Sequence, residues 1–350
     1  DALEALEDAV SENKQFTPPY PLIGEILIKQ KKVNDAVEVL SDALKISYDA
    51  EILLTLARAS EKSGNLTEAK KYFGLFSYLF PKHPENATVL KWLKSNGVVQ
   101  PYTHRFVPVP PRNTADRFFP IGENVVYSVE WGPIRVGELN TIIAETLRFQ
   151  NHDAYKTVFS LDSNPALEFI ASLHSDYITI IDQSTKQVLQ HFLHIRENNI
   201  VSDKVYDFDR ETGKFVCRFV EEDGHIQLLE KYLPENTIDG TSILFYSRQV
   251  VKEKRNERVM TIIDENFVIT DINYENRKEA VSVRDKKENA LVISGENYYK
   301  GIVGFTGNFR GWFRDDRTYL PVRSDFEIWV GRIAVSMATE EEQRQHKYAR

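Results

Sequence analysis

Residues 122–140 read GENVVYSVEWGPIRVGELN, and no other stretch limits the possible fold as strongly. Val125, Tyr127, Val129 and Trp131 take every second position, with Val126, Ser128 and Glu130 between them. Side chains of a strand alternate between its faces, so this spacing is that of a strand with one buried face. Gly132-Pro133 breaks the run as a turn, and 134–139 resumes it as a second strand. The hairpin opens a long series of alternating runs at 155–162, 177–182, 188–196, 200–208, 214–221 and 226–233. Further strands are expected at 259–263, 267–272, 279–283, 290–294, 308–314 and 319–329, where Pro321 marks a strand start or a sheet edge. Short strands recurring at about 8–12 residues predict a mostly antiparallel β domain, built as a sandwich, an open barrel or one curved meander. One short helix interrupts it. Asp239 to Thr241 can cap a helix that carries Ile243, Leu244, Phe245 and Val250 and lies across the sheet, filling or gating its cleft.

The first 97 residues carry a helical period instead. Leu53, Leu56 and Ala57 form one apolar stripe, Gly64-Asn65-Leu66 a turn, and Ala69, Phe73 and Phe76 a second stripe that Pro81 stops. The preceding segment repeats the scheme with Tyr20, Ile23, Gly24 and Leu27, then Val33, Ala36, Leu40 and Ala43. Ala36 to Ala69 and Leu40 to Phe73 are each 33 positions apart. A helix pair repeating at this interval resembles the tetratricopeptide family, although Lys31 stands where the second unit has its turn glycine and Tyr48 stands for the closing proline. The resemblance implies an α-helical repeat solenoid that engages a protein partner, here through Tyr20, Leu53 and Tyr78. Residues 85–95, with Val89, Leu90, Trp92 and Leu93, read as a helix covering the open end.

The layout expected is therefore multidomain: helical repeats over 1–97, a proline-rich linker over 98–120, a β-rich domain over 121–337 and a polar tail over 338–350. The length of 350 residues agrees with two cores rather than one. A net charge of −8 argues against a nucleic-acid partner, because binding phosphates takes a basic surface. No apolar run is long enough for a transmembrane helix. The chain begins at Asp1 inside what reads as a helix, as a mature or trimmed fragment would. Cys217, the single cysteine, excludes an internal disulfide and sits in an alternating run as a buried thiol.

No set of residues spells out a reaction, and neither a catalytic group, a metal site nor a cofactor is expected. His191 and His194 lie three apart on a strand, so they point to opposite faces. Gly301, Gly304 and Gly307 lead into a strand, whereas a phosphate cradle needs a helix N-terminus, so they read as a turn or bulge. Asp315-Asp316 reads as a turn whose acids bond their own backbone. Glu130 should face solvent. Aromatic residues concentrate in the opening hairpin and the last segments, and a cleft lined by some of them suits an apolar or sugar-ring ligand. Trp131, Tyr246, Arg248, Trp312 and Trp329 are the candidate ligand-binding residues.

Several spaced pieces resemble the domain-of-unknown-function 3108 family of bacterial exported proteins. They are Gly122-Glu123, Tyr127, Trp131-Gly132 and Gly137-Glu138; Asp176 and Ile181-Asp182; Asp239-Gly240-Thr241-Ser242 through Tyr246-Ser247-Arg248; and Trp312-Phe313, Asp315-Asp316, Leu320-Pro321-Val322 and Gly331. The resemblance implies export across the inner membrane, hence a periplasmic or outer-membrane-associated location in a Gram-negative bacterium. It brings no catalytic residues. The expected function is a non-catalytic cell-envelope binding or scaffold protein, with the repeats engaging a protein and the β domain engaging a second partner or a lipid or glycan ligand. The alternatives are an envelope hydrolase or lyase with carboxylates meeting in a sheet cleft, and a structural subunit of a larger envelope complex.

Overall fold

The computed structural model describes residues 2–98, 118–167, 172–198, 200–220, 225–284, 286–297, 305–328 and 331–348. Apart from residues 98 and 118–120, the proline-rich linker lies outside these, as do Tyr298, Tyr299, Gly301, Gly304 and Trp329.

Six helices come first: α1 Ala2–Glu12, α2 Pro19–Lys29, α3 Val33–Ile46, α4 Ala50–Lys62, α5 Leu66–Leu79 and α6 Asn86–Ser95. Their ends follow from local chemistry. The Asp49 carboxylate accepts from the Glu51 N–H to start α4, and Asn65 accepts from Glu68 N–H to start α5. Gly64 turns the chain between them at φ 84°. Lys31, 33 positions earlier, holds the same left-handed geometry at φ 65°, a conformation that costs a side chain roughly 1 kcal/mol and glycine nothing. Ala36 and Leu40 of α3, like Ala69 and Phe73 of α5, are buried on the inward stripe of their helices.

Among the described residues the β part is a single 15-stranded sheet. Its strands are β1 Asn124–Trp131, β2 Ile134–Phe149, β3 His152–Ser163, β4 Leu173–Asp182, β5 Val188–Glu197, β6 Ile200–Asp209, β7 Lys214–Val220 and β8 Ile226–Tyr232. After the two-residue β9 Ile238–Asp239 and helix α7 Ser242–Val250 come β10 Arg255–Ile263, β11 Asn266–Val283, β12 Lys286–Asn297, β13 Phe305–Arg314, β14 Pro321–Ile328 and β15 Gly331–Met337. The spatial order is β8 to β1 in reverse, then β15 to β9 in reverse, so two meanders meet where β1 pairs with β15. All pairings are antiparallel except β9 with β10. Of the three expected β architectures, the sheet is a curved meander coiled into an open barrel. Its two ends approach each other, where Lys231 of β8 donates to the Glu265 carbonyl at 3.0 Å and Phe215 of β7 meets Phe267 of β11 at 5.5 Å between ring centres.

Most of the expected strands exist and are longer than their alternation indicated. The runs 267–272 and 279–283 are one strand, β11, whose pairing with β12 is interrupted by a bulge between Tyr274 and Lys278. The irregularity sets residues 275–277 against one residue of β12, and across the exposed 276–278 the buried positions change from Ile272 and Tyr274 to Val281 and Val283, so the run reads as two pieces. Strand β15 was not expected. The polar tail forms helix α8 Glu340–Tyr348, and Gln343 ties it to β1 by exchanging two bonds with the Val126 backbone.

The helices and the barrel share one core. Leu53, Phe73, Phe76 and Phe80 belong to the same apolar cluster as Tyr206, Phe215 and Phe267. The loop after α3 pairs with β11, Tyr48 N–H donating to the Phe267 carbonyl at 2.8 Å and Phe267 N–H to Ser47 Oγ at 3.1 Å. Lys231 is buried between the two parts, donating to Thr17 Oγ1 at 2.9 Å and lying 3.3 Å from Asp49 Oδ2. This overturns the placement of the expected partner surface. Leu53 is fully buried, Tyr20 is buried against Ala43 and Ile52, and Tyr78 packs half-buried on the shared core. The apolar residues that promised a docking face are spent inside the protein, Leu53 and Tyr78 on the core shared with the sheet and Tyr20 on neighbouring helices.

Candidate functional site

Inside the barrel is a cavity of about 580 Å³. Val129, Leu139, Phe159, Leu193, Ile293 and Phe313 are among its walls, each from a different strand. They point inward because each is on the buried parity of its strand. Helix α7 crosses the lumen and supplies Ile243, Leu244 and Ser247 as a floor. The mouth is marked by side chains that line the cavity and still meet solvent: Trp131 at 43% exposure and Ile134 at 49%, on either side of the β1–β2 turn. The other end is closed. Phe119 stacks on Tyr155 at 4.7 Å and on Phe245 at 5.6 Å, and the Lys186 ammonium lies 4.8 Å from the centre of the Tyr155 ring.

Helix α7 is fixed at both ends. At its start, Asp239 accepts the N–H groups of Thr241 at 2.8 Å and Ser242 at 3.0 Å, and also takes both of their hydroxyls. At its far end the Arg248 guanidinium grips both oxygens of Glu123, at 2.6 and 3.1 Å, and donates to the Thr318 carbonyl at 3.0 Å. Tyr246 donates to Glu257, whose carboxyl is pushed up by burial.

A few polar groups reach the lumen. His191 lines it, with Nδ1 2.8 Å from Thr179 Oγ1 and 3.6 Å from Asp239 Oδ1. Burial holds its pKa below the usual imidazole value, against the opposing pull of Asp239. The ring lies between Tyr177 and Tyr206. Burial and the neighbouring Glu265 raise the Tyr206 phenol, which donates to that carboxylate. Near pH 7 the His191 imidazole and the Tyr177 and Tyr206 phenols are therefore neutral, and the acidic and basic residues among the lining are Asp162, Asp264, Arg323 and Glu327.

A second concavity, of about 1080 Å³, lies on the opposite face of β10–β14. Many of its charges are paired: Arg258 with Asp271, Arg310 with Glu279, and Arg323 and Arg332 with Asp325. Among the described residues no group of three or more His, Cys, Asp or Glu side chains is arranged to hold a metal ion.

Residues 126–338, more than half of the chain, match the family described as "Protein of unknown function (DUF3108)". The chain belongs to the DUF3108 family. A crystal structure described as a beta-barrel-like protein of domain of unknown function DUF1849 from Brucella abortus is similar to this DUF3108 protein at 11% identity and a TM-score of 0.42, covering 62% of this chain and 95% of that one. No curated protein matches. No helix among the described residues is long and apolar enough to cross a membrane.

The candidate ligand residues of this DUF3108 chain do not form one site. Trp131 lines the cavity at its mouth. Trp312 lies on the opposite face, its Nε1–H donating to Glu279 Oε1 at 2.7 Å. Tyr246 and Arg248 are buried at the far side of α7, engaged by Glu257 and Glu123. Trp329 lies outside the described residues. His191 points inward and His194 outward, bonded to Asp203. Asp316 accepts the N–H groups of Thr318 and Tyr319, as its sequence indicated, whereas Asp315 does not bond the turn backbone in the same way but pairs with Lys252 at 3.1 Å and with Lys278 at 2.5 Å. Glu130 is on the outward face but paired with Arg284 at 2.6 Å. Sequence reasoning missed His191 as a lumen residue and Glu123 as the partner of Arg248. For His191 a signal existed, since its parity matches Leu193, which is buried. For Glu123 none did, because its partner is 125 residues away.

Proposed function

We propose that this protein is a non-catalytic binding protein of the cell envelope whose barrel holds an apolar ligand, of the kind a lipid acyl chain provides. One observation carries the reading: a cavity of about 580 Å³ with aliphatic and aromatic walls, a half-exposed tryptophan at its mouth and few polar groups inside. Small-molecule sites are commonly about 300–1,000 Å³, mostly apolar, with a few placed polar groups. An apolar guest gains about 25 cal/mol for each Å² it removes from water. A glycan fits less well, because its hydroxyls would lose water against walls such as Val129, Leu139 and Ile293, which offer no hydrogen bond.

The envelope location and the tetratricopeptide character of the helices are part of the same proposal. In its favour stand the resemblance to exported proteins and the buried pairs Ala36 with Ala69 and Leu40 with Phe73 at a constant interval. On this reading the helices act first as a buttress for the seam between β8 and β10.

Native mass spectrometry of protein purified without detergent, followed by titration with a fluorescent fatty acid, tests the reading. A retained lipid-like mass, or saturable uptake of the probe at one site per chain, is expected. A bare chain that also leaves the probe in water would overturn it.

A further inference from the structure

The exposed apolar side chains of the β part are not scattered. Trp131 and Ile134 flank the β1–β2 turn, Ile200 and Val201 start β6 after the β5–β6 turn, and Ile226 and Leu228 start β8 after the β7–β8 turn. Their exposures run from 43% for Trp131 to 67% for Ile200. In an antiparallel meander every second turn falls at the same end of the sheet. The β1–β2, β5–β6 and β7–β8 turns obey that rule, so all six side chains crown one end of the barrel. Among the described residues of the β part, Ile121 is the one large, exposed apolar side chain elsewhere, beside the start of β1.

The crowned end is also the end at which the cavity opens, because Trp131 and Ile134 line the cavity and belong to the crown. Water-exposed apolar groups are costly when they gather, and a gathering of this kind marks a docking surface. The six side chains come from three separate hairpins at the end where the cavity opens. A soft apolar phase can receive such projections independently, whereas a folded protein partner would need a matching pocket for each. A tryptophan beside aliphatic residues is the composition that enters the boundary between lipid headgroups and acyl chains. An apolar guest also needs a way in that avoids water.

The geometry points to a lipid bilayer surface as the partner of this end: the protein docks mouth-down on a membrane and takes up or delivers its apolar ligand there. The inference rests on the apolar-ligand reading of the cavity. It needs no anionic lipid, since its driving force is apolar insertion.

Flotation with phosphatidylcholine vesicles tests it on the full chain. The wild-type chain is expected to float, and the variant Ile200→Ser/Val201→Ser/Ile226→Ser/Leu228→Ser is expected to lose partitioning by about tenfold or more. None of these four residues lines the cavity, so the variant should take up the fluorescent fatty acid as the wild type does. Quenching of Trp131 emission by lipids brominated along the acyl chain, lost in Trp131→Phe, checks insertion in a chain whose other apolar residues are untouched. Equal flotation of wild type and variant, or no flotation and no quenching, overturns the docking. A wild-type dimer that the four substitutions dissociate, without any vesicle binding, also overturns it, by making the crown an interface between copies. Fatty-acid uptake is read separately, so a docking failure with uptake intact leaves the cavity reading standing, and the reverse result removes the cavity reading together with ligand transfer and leaves only the docking.

Discussion

Arg248 holds both carboxylate oxygens of Glu123, a residue 125 positions earlier, with its own side chain 1% exposed. The pair joins the end of the helix in the lumen to the chain just before the first strand. A forked guanidinium matches a carboxylate, and a lysine could not make the same two bonds. Removing one partner leaves a buried charge with nothing to offset it, which typically costs about 3–5 kcal/mol. Arg248→Met and Glu123→Gln should each lower the unfolding free energy by roughly that amount in urea denaturation. The double variant should lose less than the sum of the singles, because it leaves neither charge stranded. Additive losses would mean that the two side chains act independently.

The helical and β parts should unfold together. Leu53 of α4 is fully buried in the cluster that also contains Phe215 and Phe267. Leu53→Ala is expected to cost about 2–5 kcal/mol. Far-ultraviolet dichroism, which follows the helices, and tryptophan emission should shift to one common lower midpoint. Two separated transitions, with only the helical one displaced, would show that the helices form an independent unit.

Much of this architecture was legible in the sequence, and the failures have physical causes. Alternation located most strands of both meanders, though not β15, because each has one face on the lumen or the shared core. It broke 267–283 into two pieces at the bulge after Tyr274, where three residues oppose one and the buried positions pass from Ile272 and Tyr274 to Val281 and Val283. The Asp239 cap was readable because capping is local. The use of Leu53 was not, since an apolar helical stripe looks the same whether it meets a partner or the chain's own sheet. The aromatic residues were grouped by nearness in sequence, and parity then divided them: Trp131 reached the lumen and Trp312 the opposite face. The cavity itself had no signature, because a lining valine and a packed valine share one pattern.

His191 should make the protein sensitive to acid. Burial lowers its folded-state pKa, so the unfolded chain binds the proton more readily. The stabilisation is complete above the unfolded value near 6.5 and is lost as pH falls toward the lower folded value. His174 acts in the opposite sense, because the Asp162 hydrogen bond raises its pKa and its contribution fades as pH rises. Comparing variants isolates each group. His191→Gln should flatten the fall in melting temperature between about pH 7 and pH 5, while His174→Gln should steepen it. An unchanged profile in His191→Gln would mean that the ring is not buried in its neutral form.

Filling the lumen should separate ligand binding from folding. Leu161 lines the cavity between β2 and β4 and is only partly buried, so a larger side chain there can extend into empty space. Overpacking a filled core costs about 1–3 kcal/mol, but the indole of Leu161→Trp has room to enter. The variant should therefore keep its melting temperature within a few degrees and bind the fluorescent fatty acid about tenfold more weakly, by analogy with the few kcal/mol at stake when a pocket loses room for a guest. Flotation with vesicles should be unchanged, since the crown at Ile200, Val201, Ile226 and Leu228 is untouched. Full-strength uptake in a correctly folded Leu161→Trp protein would place the bound probe outside the lumen, and the apolar-ligand reading would have to move with it.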